Sequence, residues 1–174
     1  MSSVVQVISK EGKNVEFSVE VANTSKYLQT VLKEDPEATE IQTTIPYNAL
    51  VIAKQFLDYH LNKPMAKIPK PLTDYQNFRN NIEDGFDSDL MVNLNRDETF
   101  DLLYTAQILQ NESLVSLCAA YTASMINGKN VNELREFFQV EDDLTEEEKL
   151  QIDKENACFR ISNVEFNKHT SIVH

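Results

Sequence analysis

The stretch LVSLCAAYTASMINGKNVNELREFF, residues 114–138, decides how the rest of the chain is read. Its first half is a helix whose apolar residues do not keep to one stripe. Leu114, Leu117, Tyr121 and Met125 run down one side, while Ala119, Ala123 and Ile126 occupy another. A helix apolar nearly all round is covered on both sides. It is therefore either the central core helix or a helix whose second side is covered by a partner. Ser113 is placed to cap its start and Gly128 to end it in the left-handed conformation. Past that break, Asn130 and Glu133 form a capping pair for a short helix. Leu134, Phe137, Phe138 and Val140 then make an apolar cluster with too little chain left to bury it, which marks an interface.

Moving outward, Asn95 and Glu98 cap a helix in FDLLYTAQIL, so the second half of the chain reads as a helical array reaching about residue 159. Its last member, LTEEEKLQIDKENACF at 144–159, is charged and sparse in apolar residues. Thr145 and Glu148 are spaced as a capping box, and Glu146, Glu147 and Glu148 sit in the first turn, where the helix dipole favours them. The acidic run needs no metal or substrate to explain it.

The first half alternates instead. In VEFSVEV, residues 15–21, Val15, Phe17 and Val19 alternate with Glu16, Ser18 and Glu20, the period of a strand with one wet face. SVVQVIS supplies a second strand and Glu11-Gly12 the turn of a hairpin. Ser25 caps a short helix to about Glu34, EIQTTI at 40–45 reads as a third strand, and Ala49, Ile52, Ala53 and Phe56 recur at helical spacing. A β-β-α-β-α opening of this kind predicts an α+β domain with a small sheet covered by helices. Residues 62–86, with Pro64, Pro69 and Pro71, break the pattern and read as a mobile surface loop.

With 174 residues the chain has room for one core and an appendage. Its 41% hydrophobic residues include no run long enough to span a bilayer, so no membrane association is expected. Sixteen basic against 28 acidic residues give a formal charge of −12, which repels phosphate backbones and argues against nucleic acid as a partner. The one basic run, Lys63 to Lys70, is too short and proline-rich to reverse that. The N-terminus lacks the pattern of a secretory signal, so a cytoplasmic and nuclear location and reduced cysteines are expected.

No cofactor or metal site is legible. Three glycines, none in a strand-to-helix turn, exclude the usual phosphate-cradling loops. His60 has no Cys or His four residues away and reads as structural; Cys118, within an apolar helix, reads as a small core residue. Neither IEDGFDSD at 82–89 nor VEDDLTEEE at 140–148 has the spacing of a calcium loop. An enzyme would need carboxylates such as Asp87, Asp89 and Asp101 to be brought together by the fold, so the chain is read as non-catalytic.

Two segments carry a resemblance. DETFDLLYTAQIL, followed by LVSLCAAYTASMINGKNVNELREFFQVEDDLTEEEKLQIDKEN, resembles the C-terminal half of the S-phase kinase-associated protein 1 family, the F-box adaptors of SCF cullin-RING ubiquitin ligases. The N-terminal VISKEGKNVEFSVEVANTS and IPYNALVIAKQFLDYH fit the same family's BTB/POZ fold. The resemblance implies a BTB/POZ-like domain over 1–127 with its variable loop at 62–86, F-box-binding helices over 128–159, and a disordered or strand-like tail over 160–174. It also implies an F-box-binding face of Ala119, Thr122, Ile126, Leu134, Phe138, Val140, Ile152 and Cys158, with Phe159 beside it. Gln107-Ile108 stands on the cullin-facing side, where the family usually has asparagine and tyrosine. The chain is thus expected to link F-box proteins to a cullin. Two other readings stay open: an F-box-binding structural or chaperoning subunit that has lost the cullin, and a BTB scaffold that forms homodimers when no partner is present.

Overall fold

The computed structural model describes residues 4–169, and their side chains as far as residue 157. The chain divides into two compact units, Met1–Gly128 and Lys129–His174.

The first unit is α+β, as the alternating N-terminal half requires. Strands β1 (Val4–Ile8) and β2 (Asn14–Ser18) pair antiparallel, with Val5 opposite Phe17 and Val7 opposite Val15. Strand β3 (Glu40–Gln42) lies parallel to β1 on its other side, giving the order β2-β1-β3. The hairpin turns at Gly12, whose φ of +74° is a conformation a side chain would strain. Val5, Val7, Val15, Phe17 and Ile41 face the core, and Glu16 and Glu40 face water.

The second strand ends earlier than its alternation predicts. The Ser18 hydroxyl accepts from the Val21 N–H at 3.3 Å and starts a short helix, α1 (Val19–Ala22). Val21 and Ala22 are both buried, a consecutive pair that suits a helix and not a strand with one wet face. Helix α2 (Lys26–Glu34) begins where expected, with Ser25 accepting from Leu28 N–H at 3.2 Å and donating its own proton to the Leu109 carbonyl at 2.7 Å. Helix α3 (Tyr47–Tyr59) buries Ala49, Leu50, Ala53, Phe56 and Leu57.

Residues 62–86 are not a free surface loop. Leu72, Phe78 and Asn81 are buried, and a 3-10 turn forms at Phe78–Asn81. The Asn81 side chain ties the segment to itself, accepting from Thr73 N–H at 2.7 Å and Asp74 N–H at 3.0 Å. Helix α4 (Gly85–Val92), capped by Asp84, leads to α5 (Arg96–Ile108) and α6 (Glu112–Ile126). The Asn95–Glu98 capping box of α5 is present in both directions. Helix α6 is capped by Asn111, whose side-chain Oδ1 accepts from Leu114 N–H at 2.9 Å, and Ser113 lies within the helix. Leu102, Leu114 and Leu117 join Phe17, Phe56 and Met91 in one core, at or below 1% exposure.

In the second unit, α7 (Val131–Phe138) carries the expected Asn130–Glu133 box and α8 (Glu146–His169) the Thr145–Glu148 box. Helix α8 runs past residue 159, for no proline or glycine follows Gly128 to stop it.

Candidate partner-binding faces

Helix α6 resolves into unequal sides. Leu114, Leu117 and Cys118 are fully buried, and burial pushes the Cys118 thiol up to about 12, the state of an inert core residue. On another side Ala119 is exposed, and Thr122, Ala123 and Ile126 are half-buried. The apolar surplus read from the sequence is thus divided: one part is core, and the other is a face of small and β-branched side chains left partly open.

In the second unit the expected residues are open too. Phe138 is 44% exposed, Val140 59% and Ile152 42%, while Leu134 is half-buried. Two further apolar residues, Val131 at 65% and Leu150 at 57%, are exposed here and went unnoticed in the sequence, because one stands at a helix start and the other in a charged run. Phe137 and Phe138 meet edge-on at 5.1 Å, and the ammonium of Lys129 lies 5.9 Å from the Phe137 ring centre. Beyond α7 the chain turns at Gln139 (φ +54°), and the Val140 N–H donates to the Arg135 carbonyl at 2.9 Å. Asp142 then binds Lys149 and Arg135, each at 3.0 Å, and these cations hold its carboxyl below the usual carboxylate range. Local capping and ion pairs therefore set the path between α7 and α8. Cys158 and Phe159 stand on α8, but their side chains lie outside the described residues.

On α5, Gln107 is exposed and Ile108 half-buried. One turn earlier Tyr104, 49% exposed, adds an aromatic ring to the same helix, its hydroxyl 3.4 Å from that of Thr44.

The three carboxylates named from the sequence stand in different surroundings. Asp87 is fully buried, Asp89 pairs with Arg79, and Asp101 is exposed on α5. Among the described residues no group of three His, Cys, Asp or Glu could hold a metal. Asp87 instead meets His60 across 27 residues of sequence, at 2.7 Å from Nε2 to Oδ1, with both side chains nearly dry. His60 Nδ1 lies 2.6 Å from the Lys63 carbonyl and donates to it, since a carbonyl only accepts. Burial raises the Asp87 carboxyl above its usual range. Nearby, Lys63 binds Asp84 at 2.5 Å and holds its carboxyl low, and the Tyr59 hydroxyl donates to the same carboxylate at 3.1 Å. Tyr59 stacks on Phe86 at 4.0 Å. The cluster clamps both ends of the 62–86 segment.

The first unit has a packed α+β core, and α6, α7 and α8 carry partly open apolar side chains. Residues 112–158 match the Skp1 family, dimerisation domain. The chain is 30% identical to the S-phase kinase-associated protein 1 homolog of Tetrahymena thermophila over 158 residues, 89% of this chain and 93% of that protein. It is 28% identical over 156 residues to the SCF ubiquitin ligase complex protein SKP1b of Dictyostelium discoideum, covering 88% and 94% of the two chains. It is also 28% identical over 159 residues to SKP1-like protein 18 of Arabidopsis thaliana, covering 90% and 96%. The chain belongs to the Skp1 family.

Proposed function

We propose that this chain is a non-catalytic adaptor that binds F-box proteins and links them to a cullin in an SCF-type ubiquitin ligase, in the cytoplasm and nucleus. The observation that carries the reading is the set of large apolar side chains left open in the second unit, Phe138, Val140, Leu150 and Ile152, all above 40% exposure. Isolated exposed apolar residues are ordinary, but four within 15 positions of a charged segment call for a covering surface. The family name of the Dictyostelium relative supports the ligase context. On α6, Ala119, Thr122 and Ile126 supply the face expected on that helix.

The test is affinity purification of the tagged chain with mass spectrometry, in wild type and Phe138→Ala forms. F-box proteins together with a cullin support the adaptor, and Phe138→Ala then weakens F-box affinity by about 2 kcal/mol or more, as for a buried aromatic anchor. Absence of F-box proteins overturns the reading. F-box proteins without a cullin support the second reading, a subunit that has given up the cullin, which is favoured by the exposed Gln107 where the family carries asparagine.

A further inference from the structure

The 62–86 segment does more than cross the surface. Its Ile68, Leu72 and Tyr75 stand opposite Val115, Ala119 and Ala123 of α6, and between the two rows lies a groove of about 400 Å³. Leu72 is buried and Ile68 packs against the core, so the loop side is a fixed wall. The Phe78 ring, edge-on to Tyr121 at 4.9 Å, anchors the same segment to the same helix. Ala119 belongs at once to this groove and to the α6 face assigned above.

The charge that lines the groove itself is opposite to that of the protein. No carboxylate lines it, and its one charged residue is Lys70. Lys67 and Lys70 line the hollow that adjoins it along α6, together with the exposed Glu112, whose carboxylate is already bound to Lys26. Both lysines are exposed, and neither makes an ion pair with a described residue. In a chain of formal charge −12, a positive rim on an apolar slot selects for an acidic, apolar occupant.

We infer that the groove between residues 68–75 and α6 receives an apolar segment of the F-box receptor flanked by carboxylates, which meet Lys67 and Lys70. The inference rests on the adaptor reading and adds a second wall to its α6 face. It makes the 62–86 segment a determinant of which receptors are accepted.

The experiment uses the full chain and the most abundant F-box protein recovered in the purification described above, produced recombinantly. Wild type, the double variant Lys67→Glu/Lys70→Glu and Phe138→Ala are compared by surface plasmon resonance. The expected result is about tenfold weaker binding by the double variant, mostly in the association rate, and a smaller difference in 1 M salt, where the screening length is about 3 Å. Both lysines are exposed, so circular dichroism of the double variant should match wild type. Unchanged affinity in the double variant while Phe138→Ala weakens binding would overturn the groove and leave the adaptor reading standing. Loss of neither would overturn both. Hydrogen-exchange protection of residues 115–123 in the free chain that disappears in the double variant would also overturn it, by assigning the groove to the chain's own acidic segment.

Discussion

Replacing His60 by alanine isolates the buried pair that clamps the 62–86 segment. His60 and Asp87 are 8% and 1% exposed, and Oδ2 of Asp87 has no hydrogen-bond partner. Both ring nitrogens are held, Nδ1 by the Lys63 carbonyl and Nε2 by Asp87 Oδ1. Removing one partner of a buried pair costs roughly 3–5 kcal/mol, because the other charge stays behind in a dry site. The variant also loses the ring contact of His60 with Phe56 at 4.4 Å, worth about 0.5–1.5 kcal/mol. Asp87 limits the damage by taking up a proton, which burial already favours. We therefore expect His60→Ala to lose about 3 kcal/mol of unfolding free energy. Asp87→Asn should lose less, about 1–2 kcal/mol, since an amide of the same shape keeps a hydrogen bond to Nε2 and leaves no carboxylate in the dry site. The sign with pH follows. A carboxyl raised in the folded state binds its proton more tightly there than in the unfolded chain, so lowering the pH through that raised value favours folding. Without the imidazole the rise is larger, and the His60→Ala deficit should narrow as the pH falls. Urea denaturation followed by far-ultraviolet circular dichroism suits a chain that has no tryptophan. A His60→Ala loss under about 1 kcal/mol at pH 7, or a deficit equal to that of Asp87→Asn, would refute the reasoning.

Two further expectations concern stability. Leu117→Ala removes a fully buried side chain from α6 and should cost about 2–5 kcal/mol, read as a lower urea midpoint with an unchanged slope; a loss under about 1 kcal/mol would mean that the site collapses to fill the gap. Asp84→Asn removes the partner of Lys63, and because the pair is partly solvent-facing the loss at pH 7 should be at most about 1 kcal/mol. The Asp84 carboxyl is held low in the folded state, so its contribution is present above the ordinary carboxylate range and disappears as the pH falls through the lowered value. Wild type and variant should thus converge in acid, and a gap that persists there would contradict the assignment.

Features written within a few residues were legible in the sequence. The three capping boxes, at Asn95, Asn130 and Thr145, each need only two side chains three positions apart, and all three form. The alternation of Val15 and Phe17 likewise placed a strand, because one face of a hairpin has to find the core. Where two local signals competed, the reading erred: Ser18 ended the strand as a cap, and Asn111 displaced Ser113 by two positions. Contacts between distant parts of the chain left no local mark. His60 reaches Asp87, Phe78 reaches Tyr121 and Leu72 is buried only because other elements cover them, so a proline-rich segment that reads as loose is pinned. An apolar surplus was legible, residues beyond what the core could use, but Val131, Leu150 and Tyr104 needed coordinates to be seen as open.

Short-range devices recur through the described part of the second unit. Caps fix both helix starts, Asp142 joins two cations, and no described side chain from Lys129 to residue 157 is buried. On the adaptor reading proposed above, a segment built so lightly gains stability by mass action from the receptor that covers it, about 2.7 kcal/mol when the partner stands at 100 times its dissociation constant. Its lifetime in the cell would then follow the supply of receptors. With receptors scarce, the described part of the unit from Lys129 would be the more open to proteases, so that the amount of intact protein would keep a running count of the partners available to it.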